Sequence, residues 1–180
     1  MRNTEAGLIV QRLLSFSPMP NHSLRDRNSL AIAALRIAVG ILFLIFAEYK
    51  VFGTQFTLHG GFEFWINKFI QDGAYPFAVP LLKAVVLPHA RLFAFMVAYG
   101  ELAIGIALGA GVFVRAASLF GFCYMLALLF SSNYPGPHAA FWQYFGASLD
   151  HSVLALCFLA FVIAGPTPQM LFRSGAKPAL

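Results

Sequence analysis

Charged residues are scarce in this chain. Only 11% of its 180 residues are Asp, Glu, Lys or Arg, whereas 59% are hydrophobic. In an average soluble domain roughly a quarter of the residues are charged, and they help to cover its surface with polar groups. This composition excludes an ordinary soluble domain, so we expect a single-domain membrane protein with much of its surface facing lipid.

Motifs for bound redox groups and metals are also missing. The sequence has no dinucleotide fingerprint, no haem-attachment motif and no flavin-type glycine loop. Cys123 and Cys157 lack CxxC spacing and are expected to be small buried hydrophobes, although a disulfide between them stays open. We predict no metal site, because the histidines of the predicted outer side have no fixed short spacing: His59, His89, His138 and His151.

Long apolar runs predict an all-α, polytopic membrane protein with a four-helix transmembrane bundle. About 20 helical residues cross a bilayer core, and the predicted spans are residues 30–52, 91–110, 112–130 and 145–164. Residues 76–90 are apolar but contain Pro76, Pro80 and Pro88, so they predict an interfacial or re-entrant segment. Residues 6–16 predict a surface helix, because Ile9, Leu13 and Phe16 share one helical face.

The distribution of Lys and Arg predicts the orientation. Seven cations fall on one predicted side of the membrane: Arg2, Arg12, Arg25, Arg27, Arg115, Arg173 and Lys177. Because such residues stay cytoplasmic when loops are short, we place both the N-terminal segment 1–29 and the tail 165–180 in the cytoplasm. The net charge of +5 then reflects topology, and no nucleic-acid partner is expected.

Two charged residues lie deep within the predicted spans. Glu101 has no other charged residue for nine positions before it or thirteen after, and Arg36 lies inside the first span. A charge at such depth costs a few kcal/mol unless it is paired, so Arg36 is the predicted partner of Glu101. Three alternatives stay open: Arg36 extends to the headgroups, the pair is purely structural, or Glu101 is protonated and neutral.

Small residues indicate where helices approach closely. Gly105 and Gly109 have the GxxxG spacing, which predicts a helix contact and a route to homo-oligomers. Arg36, Gly40 and Lys50 share one face of the first span. If this face meets the Glu101 face of the second span, Arg36 can reach Glu101.

These residues resemble the DoxX family, which includes DoxD-like small subunits of thiosulfate:quinone oxidoreductases. Residues 35–53, LRIAVGILFLIFAEYKVFG, resemble the family's first helix with its arginine, glycine and lysine. Residues 101–118, ELAIGIALGAGVFVRAAS, resemble its pattern of a glutamate, spaced glycines and an arginine at the following turn. The fourth span is a weaker match, and the sequence GPTPQML after it departs from the family's glycine-rich turn.

The resemblance implies the membrane subunit of a quinone-linked oxidoreductase in the bacterial inner membrane. A partner protein would supply the electrons, and Glu101, Arg36, Asp150 and His151 would handle protons. We predict quinone contacts from Lys50, Trp142 and Tyr144. The default role of loop aromatics, among them Phe62, Phe64 and Trp65, is membrane anchoring, and the alternative is that they form the walls of a quinone site. The alternative function is a non-enzymatic scaffold, assembly factor or small-molecule carrier.

Overall fold

The computed structural model describes residues 21–166, with side chains from Arg27 onward. This part of the chain is helical and contains no strand. The predicted surface helix at residues 6–16 lies outside the described residues, as does all but the start of the predicted tail 165–180.

The first helix, α1, spans Asn21–Phe52 and contains 32 residues. Its sequence has no proline and a single glycine, so nothing interrupts the backbone hydrogen bonds. The helix stops where the Gly53 N–H donates to the Tyr49 carbonyl at 3.1 Å and Thr54 takes a left-handed φ of 49°. The apolar stretch Arg27–Phe52 is long enough to cross a membrane.

Two short helices follow α1. They are α2, Gln55–Leu58, and α3, Gly61–Asp72. The α3 helix is amphipathic: it buries Phe62 and Ile66, and its exposed side carries an ion pair between Lys68 and Asp72 at 2.6 Å. This helix therefore covers the end of the bundle at which α1 terminates.

The proline-containing segment does not form a separate element, contrary to the prediction. It continues as one helical rod through α4, Ala78–Leu81, a π-helical turn, Leu82–Val86, a 3₁₀ turn, Leu87–His89, and α5, Ala90–Ala110. Pro80 lies in the first turn, where no N–H partner is needed. Near Pro88 the helix changes from π to 3₁₀ geometry, which accommodates the missing N–H. The whole rod, Ala78–Ala110, is long enough to cross a membrane.

The remaining helices are α6, Val114–Ser131, α7, Gln143–Gly146, and α8, Leu149–Ala164. The α5–α6 turn needs Gly111, whose φ of 75° lets it and Val112 both donate to the Ala107 carbonyl. Within residues 21–166, three helices are long and apolar enough to cross a membrane: those of α1, the α4–α5 rod and α6. Because α8 is apolar but only 16 residues long, the fourth predicted span is not confirmed and stays a prediction.

The long helices pack in pairs. The α1 helix lies against α5, α6 lies against α8, and α5 joins the two pairs through α6. A Cβ on Gly40 would lie 2.9 Å from the Gly109 nitrogen and 3.1 Å from the Gly105 oxygen, so glycine permits the α1–α5 approach. Likewise, a Cβ on Gly121 would lie 2.3 Å from the Phe158 ring. Glycine at this position of α6 therefore leaves room for the Phe158 ring of α8.

Two expectations about small side chains change. Gly105 is buried against α1 of the same chain, so its predicted role in an interface between copies is not supported. Homo-oligomerisation itself stays a prediction. Cys123 is exposed rather than buried, and both cysteines are free thiols.

Candidate functional site

Glu101 is the centre of a buried polar cluster within the bundle. Its residue surface is only 5% exposed, and its carboxylate forms an ion pair with the ammonium of Lys50. The Tyr124 hydroxyl donates to the same oxygen, Oε1, at 2.6 Å. Three helices, α1, α5 and α6, thus each contribute one side chain to the cluster.

The direction of helical side chains explains the pairing with Lys50. Each Cα–Cβ bond of an α-helix leans toward the N-terminus of that helix. Because α1 and α5 are antiparallel, the side chains of Lys50 and Glu101 lean toward each other, whereas Arg36 leans away from Glu101. The predicted pair between Arg36 and Glu101 is therefore wrong.

The second carboxylate oxygen of Glu101, Oε2, has a different environment. It is buried and has no hydrogen-bond partner within the described part of the chain. A buried polar atom without a partner costs about 1–3 kcal/mol, so such atoms are rare and usually have a reason. The cluster therefore keeps one strong acceptor free.

A cavity of about 820 Å³ adjoins this cluster. Its size falls in the range of small-molecule sites, which are about 300–1,000 Å³. Lys50, Glu101 and Tyr124 line it, together with many apolar side chains. Among those are the aromatic rings of Phe43, Phe46, Phe56, Phe62, Trp65 and Phe69.

Two walls of the cavity come from α1 and α8. Its α1 wall includes Phe46 and Tyr49, and its α8 wall includes Leu149 and Val153, all of which also have exposed surface. Further along the bundle, α1 and α8 meet where Phe43 packs edge-on against Phe158, with ring centroids 5.2 Å apart. The cavity is thus a cleft between α1 and α8 whose sides face the surrounding lipid.

The α3 helix forms another wall of the cleft. Phe62, Trp65 and Ile66 line the cavity from this helix. Phe56 of α2 also lines it and lies beneath Lys50, whose Nζ is 5.2 Å from the ring centroid. This contact is a cation–π interaction, and it leaves the ammonium between an anion and an aromatic face.

The comparison with known families gives the same assignment as the sequence motifs. The DoxX family model matches residues 31–133, which contain most of α1, the α4–α5 rod and α6. The chain belongs to the DoxX family. No curated protein and no solved structure matches the chain. The DoxX match includes Lys50, Glu101 and Tyr124, whereas α8 lies beyond it.

Asp150 and His151 lie in the first turn of α8 and line the cavity next to Glu101. The Asp150 side chain is 72% exposed, and its Oδ1 is 3.5 Å from Nδ1 of His151. That nitrogen is buried and makes no hydrogen bond among the described residues. The structure therefore brings these two predicted site residues to the same cavity as Glu101, with Asp150 at its exposed edge.

Arg36 lies elsewhere in the DoxX fold. It is buried, and its Nη1 donates to the carbonyl oxygen of Leu108 in the last turn of α5. Helix C-termini leave carbonyls unsatisfied and carry partial negative charge, so the guanidinium caps α5 there. Arg36 does not line the cavity.

The structure does not bring the predicted quinone contacts of the second loop, Trp142 and Tyr144, to this cavity. Trp142 is 69% exposed, while the Tyr144 hydroxyl donates to the Gly136 carbonyl at 2.8 Å, inside its own loop. The Tyr144 ring packs near Tyr75, whose hydroxyl donates back to the Tyr144 carbonyl at 3.1 Å. Both residues thus serve the loop rather than the cavity.

Sequence reasoning missed Tyr124 and most of the aromatic wall. Tyr124 lies in the middle of the predicted span 112–130, whereas tyrosines that anchor a membrane protein lie at the two interfaces. A tyrosine at mid-span needs a hydrogen-bond partner, which is a signal for a buried polar cluster. Among the described residues, no group of three His, Cys, Asp or Glu side chains is placed to hold a metal ion.

Proposed function

We propose that this DoxX protein is the membrane subunit of a quinone-linked oxidoreductase complex in the bacterial cytoplasmic membrane. The single observation that carries the proposal is an aromatic cavity of about 820 Å³ next to a buried, incompletely bonded carboxylate. A quinone has a flat ring and an apolar tail, so it needs an apolar slot with a few polar groups at its end. The cavity beside Glu101 fits that description.

The access route supports a ligand from the lipid phase. The cleft between α1 and α8 is bordered by exposed apolar side chains, including Phe46 and Val153. A quinone tail can remain among the lipid chains while its ring enters between the helices. An ion pair that only held two helices together would need neither a cleft nor a spare acceptor atom.

The polar groups have a chemical role in this proposal. Reduction of a quinone takes up two electrons and two protons, and gives the hydroquinone. The electrons come from a partner protein, since the sequence lacks motifs for a bound electron carrier. Glu101 exchanges a proton at the ring, and Asp150 and His151 exchange protons at the edge of the cavity.

Bound quinone is the first test. The protein is purified from its native membrane in mild detergent, and extracted quinone is quantified per mole of protein. Val153→Trp places a large ring in the cleft and should reduce bound quinone several-fold. Val112→Trp is the matched control, because Val112 is equally exposed, at 48%, and lies outside the cavity. Absence of quinone from the wild-type protein, or equal loss in both variants, would contradict the proposal.

The electron-transfer role needs a second test. Native complexes are captured on the tagged protein, and quinone reduction is followed with the partner present. Glu101→Gln keeps the side-chain shape but removes the carboxyl group that takes up a proton and delivers it to the quinone ring, so turnover should fall at least about tenfold. Unchanged turnover in an intact complex would remove Glu101 from the reaction.

A small-molecule carrier is the second candidate function, and the lateral cleft favours it. A carrier would bind the same lipid-phase ligand without electron transfer. Quinone that co-purifies with the protein, is displaced by Val153→Trp, and is not reduced in any captured complex would support the carrier.

A further inference from the structure

The three polar side chains of the Glu101 cluster differ in what they can offer a ligand. Oε2 of Glu101 is buried, and Oε1 already accepts from both Lys50 and Tyr124. The Tyr124 hydroxyl has one hydrogen, which it donates to Glu101. The Lys50 side chain is 18% exposed, against 6% for that of Glu101. Lys50 is therefore the polar group through which this cluster can meet a ligand.

The Lys50 ammonium lies at the wall of the cavity. Its Nζ donates to Oε1 of Glu101 and lies 5.2 Å from the centroid of the Phe56 ring. Lys50, Glu101 and Phe56 all line the cavity. An ammonium has three N–H donors, and Glu101 uses one of them. A ligand oxygen in the cavity can therefore accept from Lys50 while the ion pair with Glu101 stays intact.

We infer that Lys50 is the catalytic proton donor to the quinone ring, and that Glu101 acts through Lys50. This inference rests on the proposed quinone-linked function and adds the residue that meets the ring. Glu101 is then a positioning residue, because it holds the ammonium at the cavity wall and supplies the proton that Lys50 gives up.

The proton transfer balances as follows. The partner protein supplies two electrons, which leave negative charge on the ring oxygens. At the oxygen beside Lys50, an N–H bond of the ammonium breaks and an O–H bond forms, so a neutral amine remains next to Glu101. The amine regains its proton from the one that Glu101 takes up. The second ring oxygen receives its proton from Asp150 and His151 at the edge of the cavity.

Lys50→Arg separates the charge of this residue from its proton. A guanidinium still pairs with a carboxylate and stacks on an aromatic ring, but it is not deprotonated in proteins. The variant should keep its bound quinone, whereas quinone reduction should slow by about a hundredfold or more. Lys68→Arg is the matched control, because Lys68 is also ion-paired, with Asp72, but lies outside the cavity.

The measurement uses the native complex captured on the tagged protein. The complex is reduced with dithionite, freed of excess reductant and mixed with a decyl-chain benzoquinone, and hydroquinone formation is followed by ultraviolet absorbance. Lys50→Ala is tested in the same way with added ethylammonium or 2-fluoroethylammonium, which differ little in size. The more acidic fluorinated ion should restore the faster reduction, because general acid catalysis follows the acidity of the donor. A purely structural role of Lys50 would not produce that order.

The outcomes separate the inference from the proposed function. Slow reduction with retained quinone in Lys50→Arg, together with rescue of Lys50→Ala in the order of acidity, supports the inference. Reduction by Lys50→Arg as fast as by Lys68→Arg, or a loss in Lys50→Ala that neither ion rescues, overturns it and leaves the proposed function standing. A wild-type complex that neither binds nor reduces quinone overturns both.

A binding measurement keeps Lys50 intact, so it holds even if the Lys50 variants fail to fold. The chain has two tryptophans, Trp65 in the cavity wall and Trp142 outside it. Trp142→Phe leaves Trp65 as the single emitter, and its quenching reports binding of the decyl-chain benzoquinone. A decyl-chain xylene, which has methyl groups in place of the ring oxygens, should compete at least about tenfold more weakly than the quinone itself. Equal competition would mean that no ring oxygen meets Lys50 and would overturn the inference.

Discussion

The Lys50 ammonium is ion-paired with the Glu101 carboxylate across the antiparallel contact between α1 and α5. The Lys50 side chain is 18% exposed and that of Glu101 is 6% exposed, so water screens the pair weakly. The pair brings a cation from the end of α1 toward the middle of α5. It thereby compensates a carboxylate that lies deep in the apolar part of the fold.

The first prediction concerns the coupling between these two residues. Removing one member of a buried pair leaves an uncompensated charge, so Lys50→Gln should lower the free energy of unfolding by about 3 kcal/mol. Glu101→Gln should also destabilise the protein, and the double substitution should cost at least about 1 kcal/mol less than the sum. The free energy of unfolding is measured by SDS titration in mixed micelles for the wild type, the two single variants and the double variant.

Arg36 provides the control for the double-mutant cycle of Lys50 and Glu101. Arg36→Gln removes the donor to the Leu108 carbonyl and should destabilise the protein by itself. Because Arg36 contacts α5 at its C-terminal end, its effect and that of Glu101→Gln should add to within about 0.5 kcal/mol. Coupling between Arg36 and Glu101 as large as that of Lys50 would contradict the assigned pairing.

The second prediction concerns Tyr124. Tyr124→Phe removes the hydroxyl that donates to Glu101 at 2.6 Å but keeps the ring. The loss should be about 1 kcal/mol in the free energy of unfolding, a typical value for one hydrogen bond between membrane helices. Tyr99→Phe is the matched control: Tyr99 is 52% exposed on α5, its ring stacks on Phe95, and its substitution should be nearly neutral. Equal effects would show that the Tyr124 hydroxyl contributes nothing specific.

Much of this architecture follows from sequence patterns, and the exceptions have physical causes. Apolar length predicts α1, α5 and α6, because a long apolar run within lipid must satisfy its backbone hydrogen bonds internally and therefore forms a helix. The isolated position of Glu101 likewise predicts a partner. Whether Arg36 or Lys50 is the partner of Glu101 depends on the direction in which side chains lean along two antiparallel helices. The spacing of residues on one helical face does not contain that direction.

Other features depend on the three-dimensional path of the chain. The prolines at 80 and 88 suggest a broken segment, but a switch of helical hydrogen-bond pattern lets the rod continue. Tyr124 reaches Glu101 only because of the rotation of α6 about its axis, which a nearly uniform apolar sequence does not specify. The conformation of the loop around Tyr144 is set by tertiary hydrogen bonds, so composition alone could not show that Tyr144 lies outside the cavity.

The third prediction tests the orientation in the membrane. His138 and Phe113 are exposed at opposite ends of the bundle, in the loop before α8 and in the α5–α6 turn. In a Cys123→Ser, Cys157→Ser background, His138→Cys should react with an impermeant maleimide added to intact cells. Phe113→Cys should react only after the membrane is opened. The reverse pattern would place both termini outside.

The fourth prediction concerns alkaline pH. Burial raises the pKa of the Tyr75 phenol above its usual value near 10, and the neighbouring Tyr144 and Tyr134 raise it further. The unfolded chain therefore loses this proton at lower pH than the folded chain, so the stabilisation is complete below pH 10 and is lost as pH rises. Tyr75→Phe should cost about 1 kcal/mol at neutral pH, from the lost bond to Tyr144.

The pH dependence itself distinguishes this cause from a simple loss of packing. The unfolding free energies of wild type and Tyr75→Phe, measured from pH 7 to 11, should converge above pH 10. Lysine titration affects both proteins equally and cancels in the difference. A constant difference over the whole range would mean that the Tyr75 proton has no part in stability.

The fifth prediction concerns the close contact of α1 with α5. A Cβ at position 40 would lie 2.9 Å from the Gly109 nitrogen, and neither backbone can move without separating the helices. Gly40→Ala should therefore lower the free energy of unfolding by about 1–3 kcal/mol. Because the shift would also draw Lys50 away from Glu101, the double-mutant coupling of that pair should weaken in this background.

Gly100→Ala is the control for Gly40→Ala. Its Cβ would meet nothing within 4 Å, and the gain in helix propensity should leave stability unchanged or slightly higher. Equal losses in both variants would mean that flexibility of the glycines, rather than helix contact, determines stability here.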